Sequence, residues 1–339
     1  MKKIKIGIVG LGRLGRKHAE NLAFKIPNAE LTVVCSILKT EVEEVQKAWG
    51  IKYGYTNYED MLKNEELDAV FIASSSTEHC KQIEQALDAG YHVFSEKPLG
   101  VTIEEVRVAK SIVDKHTDKI FMLGFMRRYD PSYAYAKKKI EEGAIGEPFL
   151  VRCYGLDPVS AIQGAIAFAE KSGGLFLDMA IHDIDLARWY LGEEAKNIYA
   201  IGGCYAFPEF GKFNDADNGA ALIKFNNNKM GLFYAGRTSA HGYHIETEIV
   251  GTKGSLRIGT VPQKNLVSIF NENGAVQECV SGFIERFDKA YLAEVQEFVN
   301  CIIENRQPKV VVDDGVKSTE IAYACKESFE GDKLVRIEY

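Results

Sequence analysis

What the chain lacks excludes whole classes of protein. No apolar run approaches the roughly 20 residues of a membrane helix, and no long stretch of lysine and arginine is present. The basic clusters, such as Lys137-Lys138-Lys139, are short, and the net charge is −7 with a pI near 5.7. A nucleic-acid or membrane-surface partner would need clustered cations, so neither is expected. The seven cysteines (35, 80, 153, 204, 279, 301 and 325) are odd in number and never spaced as Cys-x-x-Cys. That pattern encodes neither a disulfide framework nor a zinc site, and the expectation is free, buried thiols in a reducing cytoplasm with no metal. Only 8 prolines occur, and no repeat or low-complexity tract is found. Two lysines stand near the start, but Ile4-Lys5-Ile6-Gly7 leads straight into a strand without the apolar stretch of a signal peptide.

What is there is a globular composition. The 339 residues are 46% hydrophobic and 26% charged, too many for one ordinary core and suited to two domains. Residues 4 to 9 form a strand that breaks at Gly10-Leu11-Gly12-Arg13-Leu14-Gly15, and Arg16 to Phe24 continue with helical spacing. Gly-x-Gly-x-x-Gly between a strand and a helix suits a dinucleotide. Gly10 permits the tight turn, Gly12 lets the backbone approach a pyrophosphate, and Gly15 allows close packing of helix on strand. One further absence is local: the second strand, Leu31 to Cys35, ends in Ser36 where an acidic residue would grip the adenosine ribose. Serine does not repel a 2′-phosphate, and Arg13 and Lys39 are close in sequence, so NAD and NADP both remain open.

Further strand–helix units follow. Asp68 to Ala73 is a buried parallel strand, Thr77 to Ala89 a helix, and Tyr91 to Phe94 a strand ending in Ser95-Glu96-Lys97-Pro98. Thr102-Ile103-Glu104-Glu105 is a capping box, and Ile120 to Gly124 one more strand. Such alternation gives a doubly wound parallel sheet, whose carboxyl edge receives ligands, so Lys97 delivers an ammonium there. From about residue 148, strands of period two predominate: 149–154, 197–204, 219–225, 230–235, 245–250, 255–258 and 267–270. They predict one large, mostly antiparallel sheet. Helical periodicity at 287–304 and 314–330 suggests segments that return to brace the first domain. Within the second half, Asp178, His182 and Asp185 are spaced to share one face of a helix running to Trp189. A carboxylate beside an imidazole fixes its tautomer and raises its proton affinity, as a general base for an alcohol requires.

Gly10 to Gly15, Glu96-Lys97-Pro98, Gly124 to Asp130 and Asp178-x-x-x-His182-Asp183-x-Asp185 together resemble the Gfo/Idh/MocA oxidoreductases. The 125–130 segment, His182, His241-Gly242-Tyr243 and Glu248 to Gly251 are most similar to its inositol 2-dehydrogenases. The resemblance implies an α/β protein with an amino-terminal Rossmann domain, 1–124, and a substrate-binding and oligomerisation domain with an open-faced sheet, 125–339. It implies a nicotinamide cofactor, NAD with NADP possible, a polyol or sugar substrate such as scyllo- or myo-inositol, and homodimers or homotetramers. The catalytic residues it implies are Lys97 at the reacting hydroxyl, His182 as base and Asp178 as its support. The cofactor would be held by Gly10, Gly12, Arg13, Leu14, Gly15, Ser36, Ser74, Glu96 and Lys97, and the substrate also by Arg127, Asp157 and Tyr243. A cis Lys97–Pro98 peptide follows from the same resemblance. Ser36, Gly155 and Asp157 depart from the usual pattern. Two alternatives stay open: a dehydrogenase of another pyranose or a nucleotide-linked sugar, and a non-catalytic nucleotide sensor on the same fold. The joint presence of Lys97, Asp178 and His182 argues against the sensor.

Overall fold

The computed structural model describes residues 3–64, 66–259, 263–272 and 274–338. The chain divides into two compact units, Met1–Tyr129 with Lys289–Lys317, and Asp130–Asp288 with Ser318–Tyr339.

The first unit runs β1 (Ile4–Val9), α1 (Arg13–Phe24), β2 (Ala29–Cys35), α2 (Lys39–Trp49), β3 (Tyr53–Tyr55), α3 (Tyr58–Leu62), β4 (Ala69–Ile72), α4 (His79–Asp88), β5 (His92–Glu96), α5 (Ile103–Lys115) and β6 (Phe121–Gly124). All six strands are parallel, in the order β3-β2-β1-β4-β5-β6. The order reverses beside β1, so the turn after β1 opens at the crevice where such sheets bind nucleotides. Two glycines of that turn have a steric reason. Gly10 has φ +91° and its backbone abuts Ala73, and a Cβ on Gly15 would collide with the carbonyl oxygen of Gly10. Gly12 has nothing within 4 Å of where a Cβ would lie, which leaves the space a phosphate needs. The capping box of α5 is present in full, with Thr102 accepting from the Glu105 amide and Glu105 from the Thr102 amide. The apolar strands meet Val295, Phe298, Val299 and Cys301 of a helix from much later in the chain, Asp288–Glu304. Phe71 and Phe94 stack with centroids 4.0 Å apart, and Phe298 meets both rings edge-on.

In the second unit a helix α6 (Pro131–Glu141) precedes β7 (Pro148–Pro158), α7 (Ile162–Phe168), α8 (Leu175–Asp178), α9 (Ile181–Leu191), β8 (Ala195–Gly203), β9 (Asn218–Phe225), β10 (Met230–Ser239), β11 (His244–Gly251), β12 (Gly254–Ile258), β13 (Gln263–Asn271), β14 (Gly274–Cys279) and α10 (Phe283–Arg286). The helix Asp288–Glu304 is α11, followed by α12 (Val312–Gly331) and β15 (Val335–Arg336). Seven strands form one sheet in the order β12-β11-β7-β10-β9-β8-β15, antiparallel at every pairing except β7 with β10. One face carries buried Val151, Ile198, Ala221, Ile223, Phe233 and Ile249, and α9 is buried along nearly its whole length.

Two expectations are corrected. Among the described residues, 267–270 do not join the large sheet; they belong to β13, which pairs there with β14 alone. Leu266 and Phe270 of that hairpin are 94% and 81% exposed, so it has no core face. Asp178 and His182 do not share one helix, because Asp178 ends α8 and His182 lies in the first turn of α9. Contacts from distant parts of the chain accompany the break. The α8 amide of Leu175 donates to Asp215 Oδ1 at 2.7 Å, and the Asp178 carboxylate accepts from Arg237 Nη2 at 3.2 Å, so α8 is anchored at both ends before α9 begins. Among the described residues no helix is long and apolar enough to cross a membrane; all seven cysteines are free, but Cys80, Cys204 and Cys279 are half-buried rather than buried as expected.

Candidate active site

In the first unit, the amino end of α1 is built for an anion. Its cap is Gly12, no side chain caps it, and its first turn holds no acidic residue, so no carboxylate of that turn offsets the positive end of the dipole. Arg13 is exposed and Leu14 half-buried on that turn. Ser36, just past β2, is buried, with its hydroxyl hydrogen-bonded to Glu41. Ser74, past β4, donates to Gln82 Oε1 at 2.6 Å.

Lys97 follows β5 at the carboxyl edge, half-buried, and its peptide with Pro98 is cis. Two buried polar groups hold this corner: His79, which sequence reasoning did not single out, and Glu96, which it expected at the cofactor. His79 places Nδ1 2.7 Å from the Pro98 carbonyl and Nε2 3.3 Å from that of Ser74, tying the exit of β5 to the exit of β4. Burial pushes its pKa down. Glu96 is also buried. Its Oε1 lies 2.7 Å from His18 Nε2, and its Oε2 accepts from the Lys97 amide at 3.2 Å. Its carboxylate thus braces the backbone of Lys97 from within the fold. Glu294 of α11 completes a buried His18, Glu96 and Glu294 cluster. Arg127 is buried in the 3-10 turn Met126–Tyr129, and next to it Arg128 forms an ion pair with Asp314 at 2.9 Å.

In the second unit, the carboxyl end of β7 gathers predicted residues. Asp157 is half-buried there, and His244 of β11 pairs with Leu156, which brings the preceding Tyr243, itself buried, to the same end of the sheet. Gly155 has a reason of its own: a Cβ there would stand 2.8 Å from Asp183 Oδ2, so the glycine makes room for the first turn of α9. That turn carries His182, which is 8% exposed. Asp178 is held by Arg237, a residue without a sequence signal. Its guanidinium also donates to Asp215 Oδ2 and the Ala216 carbonyl, both at 2.9 Å, and lies over the Phe210 ring at 4.5 Å. No spacing rule links 178, 215 and 237; only the sheet brings them together.

A glycine cradle opening onto an uncapped helix terminus, at the reversal of a parallel sheet, fits the pyrophosphate of a dinucleotide, and a lysine stands at the edge of the same sheet. This combination defines a dinucleotide-dependent oxidoreductase. The chain belongs to the Gfo/Idh/MocA oxidoreductase family: residues 4–125 match its NAD-binding Rossmann fold and residues 137–337 its C-terminal alpha/beta domain. It is 35% identical to the scyllo-inositol 2-dehydrogenase (NAD(+)) of Bacillus subtilis, covering 99% of this chain and 97% of the relative. Among solved structures it is similar to scyllo-inositol dehydrogenase from Lactobacillus casei with bound NAD(H) and scyllo-inositol, at 46% identity and a TM-score of 0.95 over 99% of both chains. It is also similar to myo-inositol 2-dehydrogenase from Lactobacillus plantarum, at 41% identity and a TM-score of 0.97, over 99% of this chain and 100% of the other.

Proposed function

We propose that the protein oxidises a ring CH–OH of inositol, scyllo-inositol first and myo-inositol second, to the ketone. The dinucleotide binds the first unit, residues 1–124 in the sequence division, and residues 125–339 supply the substrate pocket and the contacts between copies. The nicotinamide, when bound, accepts the hydride. This chain's own residues do the rest. The Lys97 ammonium hydrogen-bonds the reacting hydroxyl and offsets the charge that develops on its oxygen. His182 takes the hydroxyl proton, because an imidazole titrates near neutral pH whereas a lysine would need its pKa lowered by about three units. Asp178 supports His182, and Arg127, Asp157 and Tyr243 orient the other hydroxyls. The observation that carries the reading is the presence of Lys97 at a strand edge braced by Glu96, in a chain whose full-length relatives include inositol dehydrogenases. The decisive experiment follows reduced cofactor by absorbance with NAD and a panel of inositols, pyranoses and nucleotide-linked sugars. Turnover on scyllo- or myo-inositol is the expected result, and turnover only on another sugar would replace the substrate.

The copies assemble as a homodimer or homotetramer through the outer face of the seven-stranded sheet, in a reducing cytoplasm. Tyr199, Leu222 and Leu232 stand opposite one another across β8, β9 and β10 as an exposed apolar row, which supports this assembly. The seven free thiols support the compartment.

A further inference from the structure

A dinucleotide-binding sheet reads the adenosine ribose at the carboxyl end of β2, where an acidic side chain accepts from the ribose hydroxyls and repels a 2′-phosphate. Here that position is Ser36, and by sequence alone it leaves NADP admissible. The structure changes the chemistry of the position. Ser36 Oγ donates to Glu41 Oε2 at 2.5 Å and accepts from the Leu38 amide at 3.2 Å, so the hydroxyl has spent its proton on the carboxylate. Glu41 stands in the first turn of α2, and the serine draws it back against the end of β2. Its other oxygen, Oε1, has no hydrogen-bond or ion-pair partner among the described residues. Of the cations close to this position in the sequence, Lys39 pairs with Glu43 at 3.2 Å and Arg16 with Glu44, while Arg13 stands exposed on the first turn of α1. Beside the carboxylate, Ile37 is 90% exposed and Leu38 54%, an apolar ledge of the kind an adenine face can cover.

We propose that Glu41, positioned by Ser36, reads the adenosine ribose and restricts this dehydrogenase to NAD. The proposal rests on the dinucleotide-dependent reading of the first unit and names the residue that sets its cofactor specificity. A carboxylate with one oxygen fixed by the serine and the other open can accept from the ribose diol. Against NADP, the same charge meets a phosphate bearing between one and two negative charges, and like charges a few ångströms apart near a protein surface discriminate by about 10²-fold or more.

The test is direct binding of NADH and NADPH to the full-length protein, read by cofactor fluorescence, for the wild type, E41Q, E41A and S36A, with circular dichroism to verify folding. The wild type is expected to bind NADH about 10²-fold more tightly than NADPH. Both Glu41 variants should lose about 10-fold in NADH affinity, the worth of a charged hydrogen bond, and gain NADPH affinity, so that the ratio collapses to within about 10-fold. S36A keeps the charge and should weaken NADH a few-fold while still excluding NADPH. A wild type that binds both alike, or an E41Q ratio equal to that of the wild type, overturns the proposal. Inositol turnover is read separately: selective, Glu41-dependent NADH binding without inositol oxidation would support this assignment and remove the proposed substrate.

Discussion

Glu294 is completely buried, and neither of its carboxyl oxygens has a hydrogen-bond partner among the described residues. Burial, with the Glu96 carboxylate nearby, pushes its pKa well above the usual carboxylate range. The folded protein therefore holds a proton that the unfolded chain releases above about pH 4.5. The native state binds more protons than the unfolded one, so this residue lowers stability as pH rises, by about 1.4 kcal/mol per unit until Glu294 ionises in the fold. Glu294→Gln removes that dependence. The stability of the variant relative to wild type, from urea midpoints, should increase as pH rises above about 4.5; a difference that does not change with pH would mean that Glu294 is already ionised in the fold. At the reacting hydroxyl, His182→Ala should lower turnover by roughly 10²- to 10⁴-fold, leave NADH affinity unchanged and abolish the acidic limb of the rate-versus-pH profile. If that limb survives, another group is the base.

At the scale of elements, the break between α8 and α9 is what a one-dimensional reading misses. Spacing of four residues puts Asp178 and His182 on one helical face only if the helix is continuous, and here the carboxylate at the end of α8 is engaged by Arg237 from β10. Arg237→Leu would leave the Asp215 carboxylate buried without its guanidinium and release the far end of α8. Losing one partner of a buried ion pair costs about 3–5 kcal/mol, so chemical denaturation should show a loss of that order. NADH affinity should stay within about twofold of wild type, since the dinucleotide residues lie in the other unit. The capping box of α5 is the opposite case. Thr102 and Glu105 satisfy each other's backbone within four residues, so the local pattern suffices to place the helix start.

At the scale of the whole molecule, the outer face of the seven-stranded sheet exposes Tyr199, Ile201, Leu222 and Leu232 beside the aromatic pair Tyr154 and Tyr234. Leu222→Lys places a charge at the centre of that row, opposite both Tyr199 and Leu232. The variant is expected to shift toward monomer in light scattering after gel filtration, with its fold retained because residue 222 points away from the core. An unchanged mass would place the contact between copies on another surface.

Period, punctuation and short-range chemistry were legible in the sequence alone. The glycine turn after β1, the lysine at the end of β5, the change from alternating strands and helices to period-two strands, and the likeness to a family all follow from residues close together in the chain, where local geometry dictates the outcome. The tertiary structure decided what depends on residues far apart. Arg237 reaches Asp178 and Asp215 from a distant strand, Glu294 and His18 meet Glu96 beneath Lys97, Gly155 yields space to Asp183, and β13 stands apart from the large sheet. The hydrogen bond from Ser36 to Glu41, five residues on, could not be read from spacing. Whether that carboxylate faces the strand end or the solvent depends on where α2 packs against the sheet, and packing is settled by the whole core.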